Sequence, residues 1–385
     1  MADIFEPWIK NDRQKRLFEK AARIAEEARD HVKETDRDAV FSPKTLKMIK
    51  QEKYPSLSLP VSYGGEDLSL YEFLLLQEKI AEGDGSVALS IGWHVGIMKE
   101  LSDDHVWKKK DYERLVKQVA DEQVIVNRAA TEPATGSPTR GGIPETTAVR
   151  DGDEYVVTGR KTFTSMANHL DYYIVSAYVE DLDTVGWFLV DRHQPGVSVE
   201  KTWDTMGMRG TASDDLILNE VELSVDDLVE VKQEGKPAPK GWLLHIPACY
   251  LGIAVSARND AIQFAQSFQP NSLDTTISEV PHIQDKIGEM EWKLLQAHTF
   301  LYSVARKWDE EPEQRPTMGP ELAAVKLAVT NTANEVVDLA MRIAGGRGLS
   351  RKNSFEKYYR DVRAGLHNPP MDDAVVQMLA KQALK

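Results

Sequence analysis

The residues best equipped for chemistry lie in separate clusters along the chain. Thr131-Glu132-Pro133-Ala134-Thr135-Gly136-Ser137 is a turn dense in hydroxyls and backbone amides. It suits hydrogen bonding along the edge of a flat polar ring, or simply a reversal between strands. Phe163 and Ser165, in Gly159-Arg160-Lys161-Thr162-Phe163-Thr164-Ser165, offer a flat apolar wall beside a hydroxyl; an aromatic on a strand is otherwise core. Gly345-Gly346 with Gly348 permits close backbone approach to a pyrophosphate or adenine, and the same pair can cap a helix. His94, in Ile91-Gly92-Trp93-His94, is either a functional imidazole or a satisfied core histidine. His367, Asp372 and Asp373 are the candidates for proton transfer near the carboxy terminus. A neutral histidine accepts a proton near pH 7, whereas a carboxylate needs burial to raise its pKa that far. The two acids could equally open a terminal helix, and Arg360 with Asp361 reads as a structural ion pair.

Three successive segments must position these groups. To about Val119 the pattern is helical: Leu17, Ala21, Ile24 and Ala28 line one face of Lys15 to Val32, and Leu70, Phe73, Leu74, Gln77 and Ile80 line a second helix. Leu59 to Gly65 is a turn cluster, and Gly83-Asp84-Gly85-Ser86 breaks the second helix. From about Glu122 to Val231 the period falls to two, in Tyr155-Val156-Val157, Tyr172 to Tyr178, Trp187 to Val190 and Leu216 to Leu223. That predicts a small antiparallel barrel or sandwich. After a Lys- and Pro-bearing linker, Lys232 to Lys240, the helical period returns. Pro320 opens a helix whose Leu322, Val325, Val329, Thr332, Val336, Leu339 and Ile343 form a bundle seam, ended by Gly345-Gly346.

Composition narrows the function classes. With 385 residues the chain exceeds one ordinary domain, and 42% hydrophobic against 28% charged residues is a globular balance. Sixty-one acidic against 47 basic side chains give a net charge of −14, which argues against a nucleic-acid partner. Cys249 is the single cysteine, so neither an intramolecular disulfide nor a cysteine metal cluster is expected, and no metal site is predicted. The acidic amino terminus lacks an apolar signal core, and the uncharged stretch Gly241 to Ala257 is short for a membrane span and interrupted by His245, Pro247 and Gly252. It is expected to be a helix buried in a bundle, in a soluble, cytoplasmic protein without a membrane partner.

Four segments in register resemble the acyl-CoA dehydrogenase family: Leu59 to Ser69 followed by Gln77 to Ser90; Thr131 to Ser137 leading into Gly159 to Ser165; Met206-Gly207-Met208-Arg209-Gly210-Thr211-Ala212-Ser213; and Ile343 to Leu349 with Tyr359-Arg360-Asp361-Val362-Arg363. The resemblance implies an α+β multidomain fold: an N-terminal helical domain over 1–120, a middle antiparallel β-barrel over 121–237 and a C-terminal four-helix bundle over 238–385. It further implies a flavoprotein oxidoreductase binding FAD (FMN or reduced flavin as alternatives) that assembles as a homotetramer or homodimer. By resemblance Thr131, Glu132, Pro133, Ser137, Phe163, Ser165, Gly345 and Gly346 hold the cofactor, and Gly345-Gly346 reaches the cofactor of a neighbouring subunit. Phe163 and Ser165 stand where the family commonly carries Trp packed on the flavin and Thr contacting N5. His94 and Arg209 are the implied substrate contacts.

Two departures bear on the activity. The family's usual catalytic Glu falls at Pro369 here, within Gly365 to Asp373, and a second known placement reads Cys249-Tyr250. His367 and Asp372 therefore stand as candidate catalytic residues. The family's pyrophosphate-binding Arg-x-x-Phe-Gly segment reads Gln266-Ser267-Phe268-Gln269-Pro270. The expected activity is oxidation of an acyl-CoA thioester at Cα–Cβ, with an electron-transfer flavoprotein as acceptor. The alternatives are a two-component flavin monooxygenase on the same fold, served by a flavin reductase and using Ser165, His367 and His94, or a non-catalytic flavin-binding member.

Overall fold

The computed structural model describes residues 4–135, 142–232 and 238–384. Five helices come first: α1 (Asp12–Asp38), α2 (Pro43–Gln51), α3 (Leu70–Gly83), α4 (Gly85–Asp104) and α5 (Lys109–Glu122). The Asn11 side chain caps α1, whose buried stripe of Leu17, Ala21, Ile24 and Ala28 packs on α3. A Ser69–Glu72 capping box starts α3, which is buried on nearly every side because α1, α6 and α7 all pack on it. Asp84 separates α3 from α4 and caps the latter by accepting from the Ser86 amide at 3.0 Å.

The middle segment supplies β1 (Val126–Ala129), β2 (Thr147–Asp151), β3 (Glu154–Lys161), β4 (Tyr172–Val179), β5 (Thr184–Asp191), β6 (Val197–Glu200), β7 (Asp215–Ser224) and β8 (Leu228–Val231). All four strands expected from period-two runs are present. The others are short, or polar on their exposed face, and gave little signal. The sheet runs β6-β7-β3-β2-β4-β5-β8, with β1 beside β4. It is not wholly antiparallel as anticipated: β1 and β2 both pair with β4 in parallel.

The last part carries α6 (His245–Ser267), α7 (Pro281–Glu310), α8 (Gly319–Ala344), α9 (Phe355–Arg363) and α10 (Asp372–Ala383). The uncharged stretch does form a buried helix, entered through a 3-10 turn at Gly241–Leu244. No helix among the described residues is long and apolar enough to cross a membrane. On α8 the seam holds at Leu322, Val325, Val329, Val336 and Ile343, while Thr332 and Leu339 are only half-buried; Ala333 and Ala340 complete the buried face.

One buried cluster ties the three parts together. Lys357 on α9 pairs with Asp361 on its own helix and, at 3.3 Å, with Asp84 at the start of α4. Asp361 also accepts from the Met208 amide at 2.6 Å, which brings in the middle segment. Burial alone would lower the Lys357 pKa, but the Asp361 and Asp84 carboxylates hold the ammonium well above its ordinary value. Around this cluster Arg360 grips Asp36 of α1 at 2.7 Å, Glu356 at 2.7 Å and the Met206 carbonyl at 2.8 Å. Arg360 and Asp361 are thus structural, as expected, but each pairs elsewhere and not with the other: adjacent positions on a helix face different directions. Lys357→Met would leave Asp84 and Asp361 buried without their cation, and should cost ~3–5 kcal/mol of stability. Chemical denaturation at neutral pH measures this, and adding Asp84→Asn should restore part of the loss. An unchanged midpoint for Lys357→Met would contradict the assignment.

Candidate functional site

Beyond β3 the chain continues as Thr162–Ser165, and the Thr162 amide donates to the Thr131 carbonyl at 2.8 Å. This isolated bridge sets the Thr131 turn beside Phe163. Phe163 has φ of +56° and remains 64% exposed, its ring braced edge-on by Trp203 at 5.6 Å. A large aromatic held in the left-handed region and open to solvent is costly unless something flat covers it. Met166, Met208 and Ala212 also carry positive φ, so backbone strain collects in the two segments around the site.

Ser165 is nearly buried. Its Oγ lies 3.0 Å from Ser213 Oγ, which lies 2.8 Å from Thr211 Oγ1, and Thr211 donates to the Met208 carbonyl at 2.9 Å. Asn127 donates to the Ser165 carbonyl at 3.4 Å. The neighbouring Thr164 hydroxyl is buried without a hydrogen-bond partner among the described residues. An open aromatic face, the Ser165 hydroxyl and an unpartnered hydroxyl fit a flat heteroaromatic group with a polar edge.

Several expected residues take other roles. Glu132 faces inward: its carboxylate pairs with Lys161 at 2.6 Å and accepts from the Thr146 hydroxyl at 2.6 Å, the Thr146 amide at 3.0 Å and the Glu145 amide at 2.6 Å. Burial would raise its pKa, yet Lys161 and these donors hold it down to about 2. Its carboxylate is therefore spent inside the sheet, and at that position only backbone can meet a ligand. Pro133 is exposed beside it, and Ser137 lies outside the described residues. Arg209 is also consumed, by the Asp36 carbonyl at 2.6 Å, the Thr205 carbonyl at 2.9 Å and Asp204 at 3.0 Å, so it braces the fold and is not free for substrate.

His94 is a satisfied core histidine. Its Nδ1 accepts from the Val126 amide at 3.0 Å, so Nε2 carries the proton and donates to the Pro55 carbonyl at 3.0 Å. Burial lowers its pKa to about 4. No ring atom is left for substrate. His245, enclosed by Phe73, Trp93 and Trp242, is lowered by burial to about 3.

Through Met208 the Ser165 chain meets α9, whose continuation is the loop where the family glutamate was sought. Gly365 presses on the buried Tyr250 ring, and Tyr250 donates to Asn368 Oδ1 at 2.6 Å. Between them His367 is exposed, with no hydrogen-bond partner among the described residues. Asp372 is engaged instead: it accepts from Asn331 at 2.8 Å and faces the buried Lys326 at 3.5 Å, anchoring α10 to α8. Both carboxylate oxygens thus serve as an anchor between helices, which sets Asp372 apart from its expected role as a base. Gly345 caps α8 by donating to the Met341 carbonyl, and a side chain at Gly345 or Gly346 would meet open space. No described hydrogen bond links this loop to the Thr131 turn within one chain. Thr211 and Ser213 were read from the sequence only as part of the Met206 to Ser213 segment, with no site role, and Trp203 was not singled out; the two-residue spacing of Thr211 and Ser213 was the available signal.

The family descriptions for the acyl-CoA dehydrogenase N-terminal, middle and C-terminal domains match residues 11–103, 127–221 and 244–366. The chain belongs to the acyl-CoA dehydrogenase family of flavoprotein oxidoreductases. It is 49% identical to a Bacillus subtilis (strain 168) protein, YdbM, assigned by name to the acyl-CoA dehydrogenases, over 98% of this chain and 99% of that one. It is 26% identical to the CarC subunit of the caffeyl-CoA reductase-Etf complex of Acetobacterium woodii, over 86% of each. The fold matches that of butyryl-CoA dehydrogenase from Megasphaera elsdenii with a TM-score of 0.85 at 20% identity, covering 98% of this chain and 99% of that one.

His94 and His245 both titrate near 6.5 when unfolded, so between that pH and their folded values the unfolded chain binds more protons. Stability should therefore fall on acidification below pH 6.5, by roughly 1.4 kcal/mol per pH unit per histidine. Urea midpoints at pH 7, 6 and 5 measure the slope, which His94→Gln should make shallower. An identical slope in that variant would show that His94 is not buried neutral.

Proposed function

We propose that the protein oxidises an acyl thioester at Cα–Cβ using FAD, with the flavin ring seated on Phe163. The observation that carries this is the Phe163 ring itself: strained, exposed and braced from behind by Trp203. When bound, the flavin would supply the hydride acceptor. The chain's own residues do the rest. Thr131 and the backbone after it offer amides and hydroxyls to the ring edge, Phe163 supports its face, and Ser165 contacts it beside Phe163. Assembly into a dimer or tetramer would bring the open Gly345-Gly346 loop of one copy to the cofactor of another. Trp292 and Leu295, exposed on α7, support such an interface. The CarC relative supports an electron-transfer flavoprotein as redox partner.

His367 is the proposed proton acceptor. Pro369 at the family's carboxylate position has no proton chemistry, Cys249 and Tyr250 are buried, and Asp372 is engaged by Lys326 and Asn331. His367 is the exposed imidazole of this loop, and its ring nitrogens have no hydrogen-bond partner among the described residues. The same missing carboxylate supports a second reading, a monooxygenase fed with reduced flavin, in which His367 would steady the reacting oxygen. Product formed only with oxygen and a flavin reductase would favour that reading.

His367→Ala should lower turnover of an acyl-CoA by about 10²-fold or more, the scale of a lost general base. Asp372→Asn should cost under about tenfold, because it loosens an anchor and removes no acceptor. Steady-state rates with flavin content checked by absorbance decide this. Full activity of His367→Ala would remove His367 from either mechanism. Phe163→Ala should in turn weaken flavin binding by about tenfold, the worth of one aromatic stacking contact. Fluorescence titration of the apoprotein measures it, and unchanged affinity would displace the ring from Phe163.

A further inference from the structure

A buried run of hydroxyls fixes which way a proton points at the candidate site. Thr211 Oγ1 lies 2.9 Å from the Met208 carbonyl oxygen and 2.8 Å from Ser213 Oγ, and Ser213 Oγ lies 3.0 Å from Ser165 Oγ. A carbonyl only accepts, and a hydroxyl carries one proton. Thr211 therefore spends its proton on Met208 and accepts from Ser213. Ser213 then has none left for Ser165, so Ser165 donates to Ser213. Reversing any link would set two lone pairs against each other among residues that are 1–7% exposed. The carbonyl end is pinned as well. Met208 also receives the Trp203 indole N–H at 3.1 Å and the Thr211 amide at 3.1 Å, and its own amide is held by Asp361.

With its proton committed, the Ser165 oxygen can only accept from a ligand seated on Phe163. We propose that this one-way chain makes the site favour a ring whose edge presents an N–H at Ser165 over one presenting a bare nitrogen. An isoalloxazine makes that change: its N5 is a bare acceptor when oxidised and an N–H when reduced by two electrons. Thr211 and Ser213 are thus positioning residues that bias the protein toward reduced flavin. The inference rests on the flavin reading above and adds a thermodynamic preference to it.

The test compares the dissociation constants of oxidised and anaerobically reduced FAD for the apoprotein, wild type and variants. Ser213→Ala frees the Ser165 proton directly. Thr211→Val frees it at one remove, because Ser213 can then donate back to Ser165. Both should shift the oxidised-to-reduced affinity ratio about tenfold toward the oxidised form, equivalent to about a 30 mV fall in the two-electron potential. Ser213→Thr keeps the hydroxyl and should keep the wild-type ratio, and in a Ser165→Ala background Ser213→Ala should have no further effect. General structural damage would weaken both forms alike and leave the ratio unmoved. Unchanged ratios in both Ser213→Ala and Thr211→Val, with flavin still bound, would overturn this inference alone. A wild-type protein binding neither form would overturn it together with the flavin reading.

Discussion

Lys357 is an ammonium buried with two carboxylates, one from its own helix and one from the start of α4. Bringing three charged groups out of water is expensive, and the arrangement is tolerable only when all three are present and further bonded. The further bonds are what matter to the site. Asp361 holds the Met208 amide, and Ser86 of α4 donates its amide to Asp84. Because each carboxylate has two jobs, the first helices, the middle sheet and the last helices cannot shift independently around Met208. Arg360, clamped to Asp36, adds a second brace between the same parts.

The site inherits its precision from that constraint. Met208 and Ala212, and Phe163 and Met166, each take left-handed backbone, a cost that a loosely held loop would relieve. Held as they are, they set one exposed aromatic face beside the hydroxyl run of Ser165, Ser213 and Thr211. Beneath them the Glu132–Lys161 pair, bonded to Thr146 and Ser176, keeps the turn after β1 against the end of β3. Glu132, expected from the sequence to meet a cofactor, thus has its carboxylate spent within the sheet.

The loop after α9 is built differently. Its anchors are neutral or peripheral: Tyr250 to Asn368 at one end, and Lys326 and Asn331 to Asp372 at the other. Just before the Asn368 anchor, His367 keeps its ring exposed. The exposed His367 ring contrasts with the firmly held segment around Phe163, whose backbone is fixed by the Thr131 bridge and the Met208 contacts.

The sequence by itself determined the order of helix, strand and helix, because a hydrophobic period of 3.6 or 2 survives in any context. It also determined α3 and α4 with the break at Asp84, the seam of α8, and the family through four motifs in register. What it could not determine was the direction each polar side chain faces. Glu132, Arg209 and His94 carry the same atoms whether they meet a ligand or a backbone carbonyl. Only the packed structure decided that Glu132 turns to Lys161, Arg209 to the Asp36 carbonyl, and His94 to Pro55 and Val126. Likewise β2 and β6 are too short to announce themselves, and the parallel pairing of β1 and β2 with β4 joins residues some 30 to 46 positions apart. The physical reason is common to all of these. Local pattern records how much of a residue is buried, whereas the identity of its partner is set by chain segments that meet only after folding.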